Sequence, residues 1–357
     1  MKNLLLLLLF CPAFLFSQIS LTSADFASSG DTVFMSRATD NTIDLLTTGA
    51  NQNWDYSNLT PNSQAARVYK GMSGVSILVN FVFGAFAPTK YKASYYLPST
   101  DLPVNQIGAL LPVQISDLVQ YSRKTTDSIT LVGLSLAIDG NEVPIKSDTI
   151  ETRYKYPLNY GDVHSSRGYT KLDMNPFYDA IWIQYRQRQT EVDGWGSITT
   201  PYGTFDALRI KHTINEKDSL RFVLFGSPTW IPLPIPKSYI YEWITNGEKA
   251  PVLKVVTTLI GGNETVTSIE YKDNNGILEV ASNQIEIELY PNPVVDLISV
   301  KADFLNAFYS IIDAKGAIVA SGKMGESINV STLRSGHYEL IVVSDNLSVR
   351  KRFIKQD

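Results

Sequence analysis

The chain has 357 residues, with 31 Lys and Arg against 35 Asp and Glu, for a formal net charge of −4. No basic run is long enough to neutralise a phosphate backbone, which excludes nucleic acid as an expected partner. The one cysteine, Cys11, lies in a leader expected to be removed, so a cysteine nucleophile and a thiolate metal site are excluded from the mature protein.

Met1-Lys2-Asn3 gives a short positive start, Leu4 to Phe16 is apolar, and Ser17-Gln18 supplies a polar cleavage context. This reads as a secretory signal peptide over residues 1–17. The apolar run is shorter than the roughly 20 residues that span a bilayer, and no later run is longer, so no transmembrane segment is expected in the mature chain.

From residue 18 the chain is rich in Tyr, Thr, Val and Ile and is punctuated by Gly, Asn, Asp and Pro. Helical periodicity is scarce, which points to an all-β protein. In the first half, strands are predicted over Thr32–Ser36, Arg67–Lys70, Tyr91–Tyr96, Leu118–Arg123, Ser128–Ile138 and Thr149–Tyr156. Pro88, Pro98, Pro103, Pro112 and Pro144 mark loops between them. The apolar run Val75–Ala87 is broken by Asn80 and Gly84, and reads as a buried strand or a hairpin on the core.

The second half is more regular. Ala180–Val192 alternates, with Ile181, Ile183 and Tyr185 on one side and Trp182, Gln184, Arg186 and Arg188 on the other. Asp193-Gly194 then offers a turn. Strands follow at Gly196–Thr200, Phe205–Ile214, Ser219–Phe225, Ser238–Thr245, Pro251–Ile260 and Thr265–Tyr271. The polar turns between them include Pro201–Thr204, Asn215–Asp218, Asn246-Gly247 and Gly261–Asn263. Pro228–Pro236 reads as an extended proline-rich loop. Short turns between neighbouring strands make an antiparallel meander, whose apolar face requires a curled sheet or a second layer. The large domain is expected over residues 18–277 as an antiparallel curved sheet or sandwich, followed by a linker at 278–286.

The tail carries ordered pieces: Tyr290-Pro291-Asn292-Pro293, the aliphatic run Leu297–Val300, Ile311-x-Asp313-x-x-Gly316-x-x-Val319, Leu333-x-x-Gly336-x-Tyr338-x-Leu340, and the basic-aliphatic end Lys351–Lys355. Five pieces in order over residues 287–357 resemble the type A C-terminal sorting domain of the type IX secretion system of the Bacteroidetes. The resemblance implies a small immunoglobulin-like β-sandwich read by outer-membrane export machinery. It also implies a protease that removes the tag, and delivery outside the cell or onto surface polysaccharide after signal-peptide export to the periplasm. Its implied recognition residues are Pro291, Asn292, Pro293, Asp313, Gly316, Leu333, Gly336, Tyr338 and Lys355. The segments Gly49–Tyr56, Tyr156–Asp162 and Val192–Phe205 resemble uncharacterised secreted Bacteroidetes proteins bearing this tag, from which no activity carries over.

Candidate chemistry in the large domain is thin. Asp162, His164, Ser165 and Ser166 are close in sequence, but a triad is defined in space, and a polar loop is the simpler reading. His212 alternates with Leu208, Ile210 and Ile214, which places it on the apolar side of its strand. Glu191 and Asp193 flank the turn read at Asp193-Gly194 and have no other mark of an acid–base pair. Asp273–Gly276 lacks the distal Glu of a calcium loop. No catalytic residue, metal site or cofactor is expected. The aromatic residues offer more, with Trp195, Trp230 and Trp243, together with His212, as possible ligand contacts. The expectation is a non-enzymatic surface protein binding a glycan, an apolar ligand or an envelope component, with a secreted hydrolase acting on polysaccharide or peptide as the alternative.

Overall fold

The computed structural model describes residues 19–39, 43–100, 102–224, 226–274, 288–301, 308–313, 318–323, 325, 327–344 and 347–356. The expected leader with Cys11, the expected linker and Gly316 lie outside the described residues. The chain divides into two compact units, Met1–Gly276 and Ile277–Asp357.

The first unit is built on one fourteen-stranded sheet. Its early strands are β1 (Thr32–Ala38), β2 (Gly49–Asp55), β3 (Pro61–Val68), β4 (Tyr95–Pro98), β5 (Ile115–Lys124), β6 (Ser128–Ile138) and β7 (Asn141–Lys155). β8 (Val163–Asp173), β9 (Ala180–Thr200), β10 (Gly203–Leu224), β11 (Ser227–Leu233), β12 (Ser238–Ile244), β13 (Leu253–Ile260) and β14 (Asn263–Asp273) follow. The order is β3-β1-β14-β13-β12-β10-β9-β8-β7-β6-β5-β4, with β11 added to β10 and β2 added in parallel to β9. The two ends of this path meet. Lys70, just past β3, exchanges backbone hydrogen bonds of 3.0 and 2.8 Å with Tyr96 of β4. The sheet therefore curls nearly into a barrel, as a large twisted antiparallel sheet does when its apolar face must be covered.

Several sequence expectations need correction. Asp193-Gly194 is not a turn. β9 runs through it, and Asp193 is the extra residue of a bulge, since Gly194 faces Arg209 while Val192 faces Ile210. A bulge reverses the in–out alternation beyond it. Thus Val192 packs with Leu208 and Ile244, whereas Ile198 joins Trp54 and Trp243 in a separate core. Asn215–Asp218 is also no turn, because β10 is continuous and pairs with β9 throughout. His164 lies on β8 opposite Thr190 rather than in a loop. The proline-rich Pro228–Pro236 segment contains edge strand β11, where prolines leave no ladder bond unmade on the far side. Pro144 sits within β7 opposite Ser135. The apolar run at Val75 forms helix α1 (Ile77–Phe83), and the stretch between Pro103 and Pro112 holds helix α2 (Val104–Leu110).

The second unit is a small sandwich. One sheet is β15 (Glu288–Tyr290), β16 (Leu297–Lys301) and β19 (Ser327–Asn329). The other is β18 (Ile318–Lys323), β17 (Phe308–Asp313), β20 (Gly336–Ser344) and β21 (Leu347–Lys355). Between them lie Leu289, Val294, Ile298, Ile311, Ile328, Leu340, Val342 and Phe353.

Candidate functional site

In the tail, residues far apart in sequence meet at the last strand. The Asn292 side chain takes the place of a neighbouring strand. Its Oδ1 accepts from the Ile354 amide at 2.9 Å, and its Nδ2 donates to the Arg352 carbonyl at 3.3 Å. Pro291 and Pro293 cannot donate to a ladder, so the side chain between them supplies the donor. Val294 continues the contact, donating to Ile354 and accepting from Gln356, both at 2.8 Å.

The remaining motif residues gather on the same strands. Gly336 pairs with Lys355, Tyr338 with Phe353, and Asp313 with Tyr338. The Tyr338 ring stacks on Phe353 with centroids 5.6 Å apart, and its hydroxyl donates to the Arg334 carbonyl at 2.8 Å. Leu333 packs against the core and closes a turn on Val330. Lys355 is buried, and its ammonium donates to the Gln356 carbonyl. Beside Tyr338 runs a groove of about 320 Å³ lined by Asp313, His337, Tyr338, Glu339 and Arg352.

The large unit holds a second concentration of polar groups, and it is internal. Even-numbered residues of β9 from Ala180 to Val192 are all buried. Apolar residues stand at both ends, and Gln184, Arg186, Arg188 and Thr190 between them. Glu151 on β7 accepts from Arg188 Nε at 2.6 Å and stands 3.0 Å from Arg153 and 3.7 Å from Arg186. Arg186 also donates to Glu216 at 2.6 Å, and Gln184 donates to the same carboxylate at 2.9 Å. Burial pushes the Glu151 carboxyl up, but Arg153, Arg188 and Arg186 outweigh it and hold it at about 2. Trp182 Nε1 donates to Asp218 Oδ2 at 3.0 Å. Burial first, and the Glu216 charge second, push Asp218 up to about 8.

Thr190, His212 and Glu242 follow along the same face. Thr190 Oγ1 lies 2.8 Å from His212 Nδ1, and His212 Nε2 lies 3.2 Å from Glu242 Oε2. Tyr154 donates to the same oxygen at 2.5 Å. Burial lowers the imidazole below its ordinary value. The neutral ring then donates from Nε2 and accepts the threonine hydroxyl at Nδ1. Burial raises Glu242, while the hydrogen bond from His212, the Lys254 charge and the Tyr154 hydroxyl lower it, for a net shift downward. The order hydroxyl–imidazole–carboxylate is that of a nucleophile relay, but Thr190 and His212 are both 1 % exposed. No substrate reaches them in this arrangement.

The four possible ligand contacts do not gather. Trp243 is fully buried, 5.9 Å from Trp54 and 5.6 Å from Tyr56, with the Arg209 guanidinium over its ring. His212 is in the polar interior, and Trp195 is half-buried against the core that contains Leu208. Trp230 stands 49 % exposed on β11, opposite Arg221. The outer face of β9 was not singled out from the sequence. Ile181, Ile183 and Tyr185 point outward while Arg186 and Arg188 point in. The alternation showed both faces, but only the Glu151 and Glu216 partners on other strands decide which is buried.

Residues 288–356 match the family described as the secretion system C-terminal sorting domain. No curated protein and no solved structure matches the chain. Among the described residues no helix is long and apolar enough to cross a membrane. The tail with its Asn292 clip is a C-terminal sorting domain, and the chain that carries it is a substrate of type IX secretion.

Proposed function

We propose that this is a non-enzymatic protein of the bacterial surface, of Bacteroidetes type, whose large unit binds a glycan. Export would proceed by signal peptide to the periplasm, then through the outer-membrane machinery, with a protease removing the tail and surface polysaccharide as a possible anchor. The observation that supports glycan binding is the inverted polarity of β9. Register places Tyr169, Tyr185, Lys217 and Ile183 on one outer face, and Arg221 and Trp230 continue it. Tyr185 is 53 % exposed, and its ring lies 4.6 Å from that of Tyr169. Rings on an exposed sheet face stack on sugar faces, and the neighbouring Lys and Arg donate to hydroxyl groups. Glu151 and Glu216 are engaged in ion pairs on the opposite, buried face, and on the outer face Arg221 pairs with Asp179.

The test is binding of the purified protein to a panel of cell-surface polysaccharides. Trp230→Ala and Tyr185→Ala are each expected to weaken binding about tenfold with an unchanged unfolding midpoint. Release of sugar fragments from the panel, or binding by both variants equal to that of the parent, would reject the proposal.

A further inference from the structure

The segment Tyr56–Thr100 contains no Asp or Glu but carries Arg67, Lys70, Lys90 and Lys92, in a chain of net charge −4. Helix α1 lies within it. Ser76 caps the helix, its Oγ accepting from the Val79 amide at 3.2 Å. Val79 and Phe83 are buried, and the Phe83 ring stacks on Tyr121 with centroids 4.3 Å apart. That contact fixes the opposite face outward. Ile77, Leu78 and Phe81 are 61 %, 54 % and 58 % exposed. The turn after the helix is held by Asn80 Oδ1, which accepts from Ala85 at 2.8 Å. It presents Phe86, 63 % exposed, with its ring 5.2 Å from that of Phe81. Lys90 and Lys92 are exposed just beyond.

Four large apolar side chains standing in water within ten residues mark an interaction surface. We propose that α1 and the Phe86 turn form a docking tip for an anionic lipid surface, with Ile77, Leu78, Phe81 and Phe86 entering the headgroup boundary. Lys90 and Lys92 would then meet the phosphate layer. The positive charge of the flanking lysines, the one sign present within this segment, decides the occupant. Anionic headgroups complement it. A second copy docked face to face would set the same lysines against each other. Strand β7, against which the helix packs, adds Lys146 beside Tyr91, and also carries Glu142 and Asp148.

Sedimentation of the full chain with vesicles tests this. The protein is expected to bind phosphatidylglycerol–phosphatidylcholine vesicles at least about tenfold more tightly than phosphatidylcholine alone. Phe81→Ser with Phe86→Ser removes exposed groups only, so the unfolding midpoint should hold while binding falls about tenfold. Lys90→Ala with Lys92→Ala should erase the preference for anionic vesicles. Failure to bind anionic vesicles, or unchanged binding by the phenylalanine variant, would overturn the proposal. So would a dimer in solution that the phenylalanine variant dissociates and that does not bind vesicles, which would assign the patch to a second copy.

Discussion

Two buried carboxylates of the polar interior carry opposite linkages to pH. Glu151 is held at about 2 against an ordinary value of 4.5. Its charge therefore stabilises the fold fully above pH 4.5, and that stabilisation, roughly 3 kcal/mol, is lost as pH falls toward 2. Glu151→Gln leaves three guanidinium groups without their shared counter-charge, and is expected to cost about 3–5 kcal/mol in urea unfolding. Asp218 is displaced the other way, to about 8 from 3.8. Between those values the folded chain keeps a proton that the unfolded chain releases, so stability falls as pH rises across that window. Its Oδ1 has no hydrogen-bond partner among the described residues, consistent with a site that disfavours charge. Asp218→Asn keeps an oxygen for the Trp182 indole and removes the titration. Its unfolding midpoint should exceed that of the parent by more at pH 8 than at pH 5. Equal differences at the two pH values would show that Asp218 does not titrate in this way.

Strands whose partners are near in sequence were legible, and those whose faces are decided from afar were not. β6, β12 and β13 announce themselves by β-branched and apolar runs closed by Gly and Asn turns. Asn215–Asp218 misleads because four polar residues in a row ordinarily mean solvent, whereas Glu216 and Asp218 turn inward to Arg186 and Trp182. Helix α1 is too short for period to separate it from a strand. The tail cluster was legible through its ordered motifs, but the outer face of β9 was not, because burial of its other face depends on Glu151. Asp193-Gly194 shows a different ambiguity. Glycine there serves close approach, since a Cβ on Gly194 would meet the Trp54 ring at 3.1 Å. Gly196 is tighter still. Its φ is +156°, and a Cβ would collide with the Gln52 carbonyl and amide of β2. Gly196→Ala is thus expected to expel β2 and break the Trp54 indole bond to the Thr47 carbonyl. Hydrogen exchange should show faster exchange at Gln52–Asp55 while β10 keeps its protection, at an overall cost of about 1–3 kcal/mol.

At the scale of the whole molecule, each unit has its own core, and the division falls at Gly276. Separate cores predict separable behaviour. A chain cut after Glu288 is expected to keep the unfolding transition of the large unit but to accumulate inside the outer membrane. Residues 287–357 grafted onto an unrelated passenger should carry it out of a host with type IX machinery. The Asn292 clip sharpens the test. Asn292→Ala removes two hydrogen bonds to β21, at about 1 kcal/mol each, and loosens the motif on the terminal strand while the backbone bonds of Val294 to Ile354 and Gln356 remain. Asn292→Asp keeps the acceptor for Ile354 and loses the donor to Arg352. If the export machinery reads the clipped form, extracellular product should fall most for Asn292→Ala and less for Asn292→Asp. The large-unit transition should stay fixed in both. Full export of the alanine variant, with its tail transition lowered, would mean that the machinery reads the strands of the sandwich and not the junction that Asn292 holds closed.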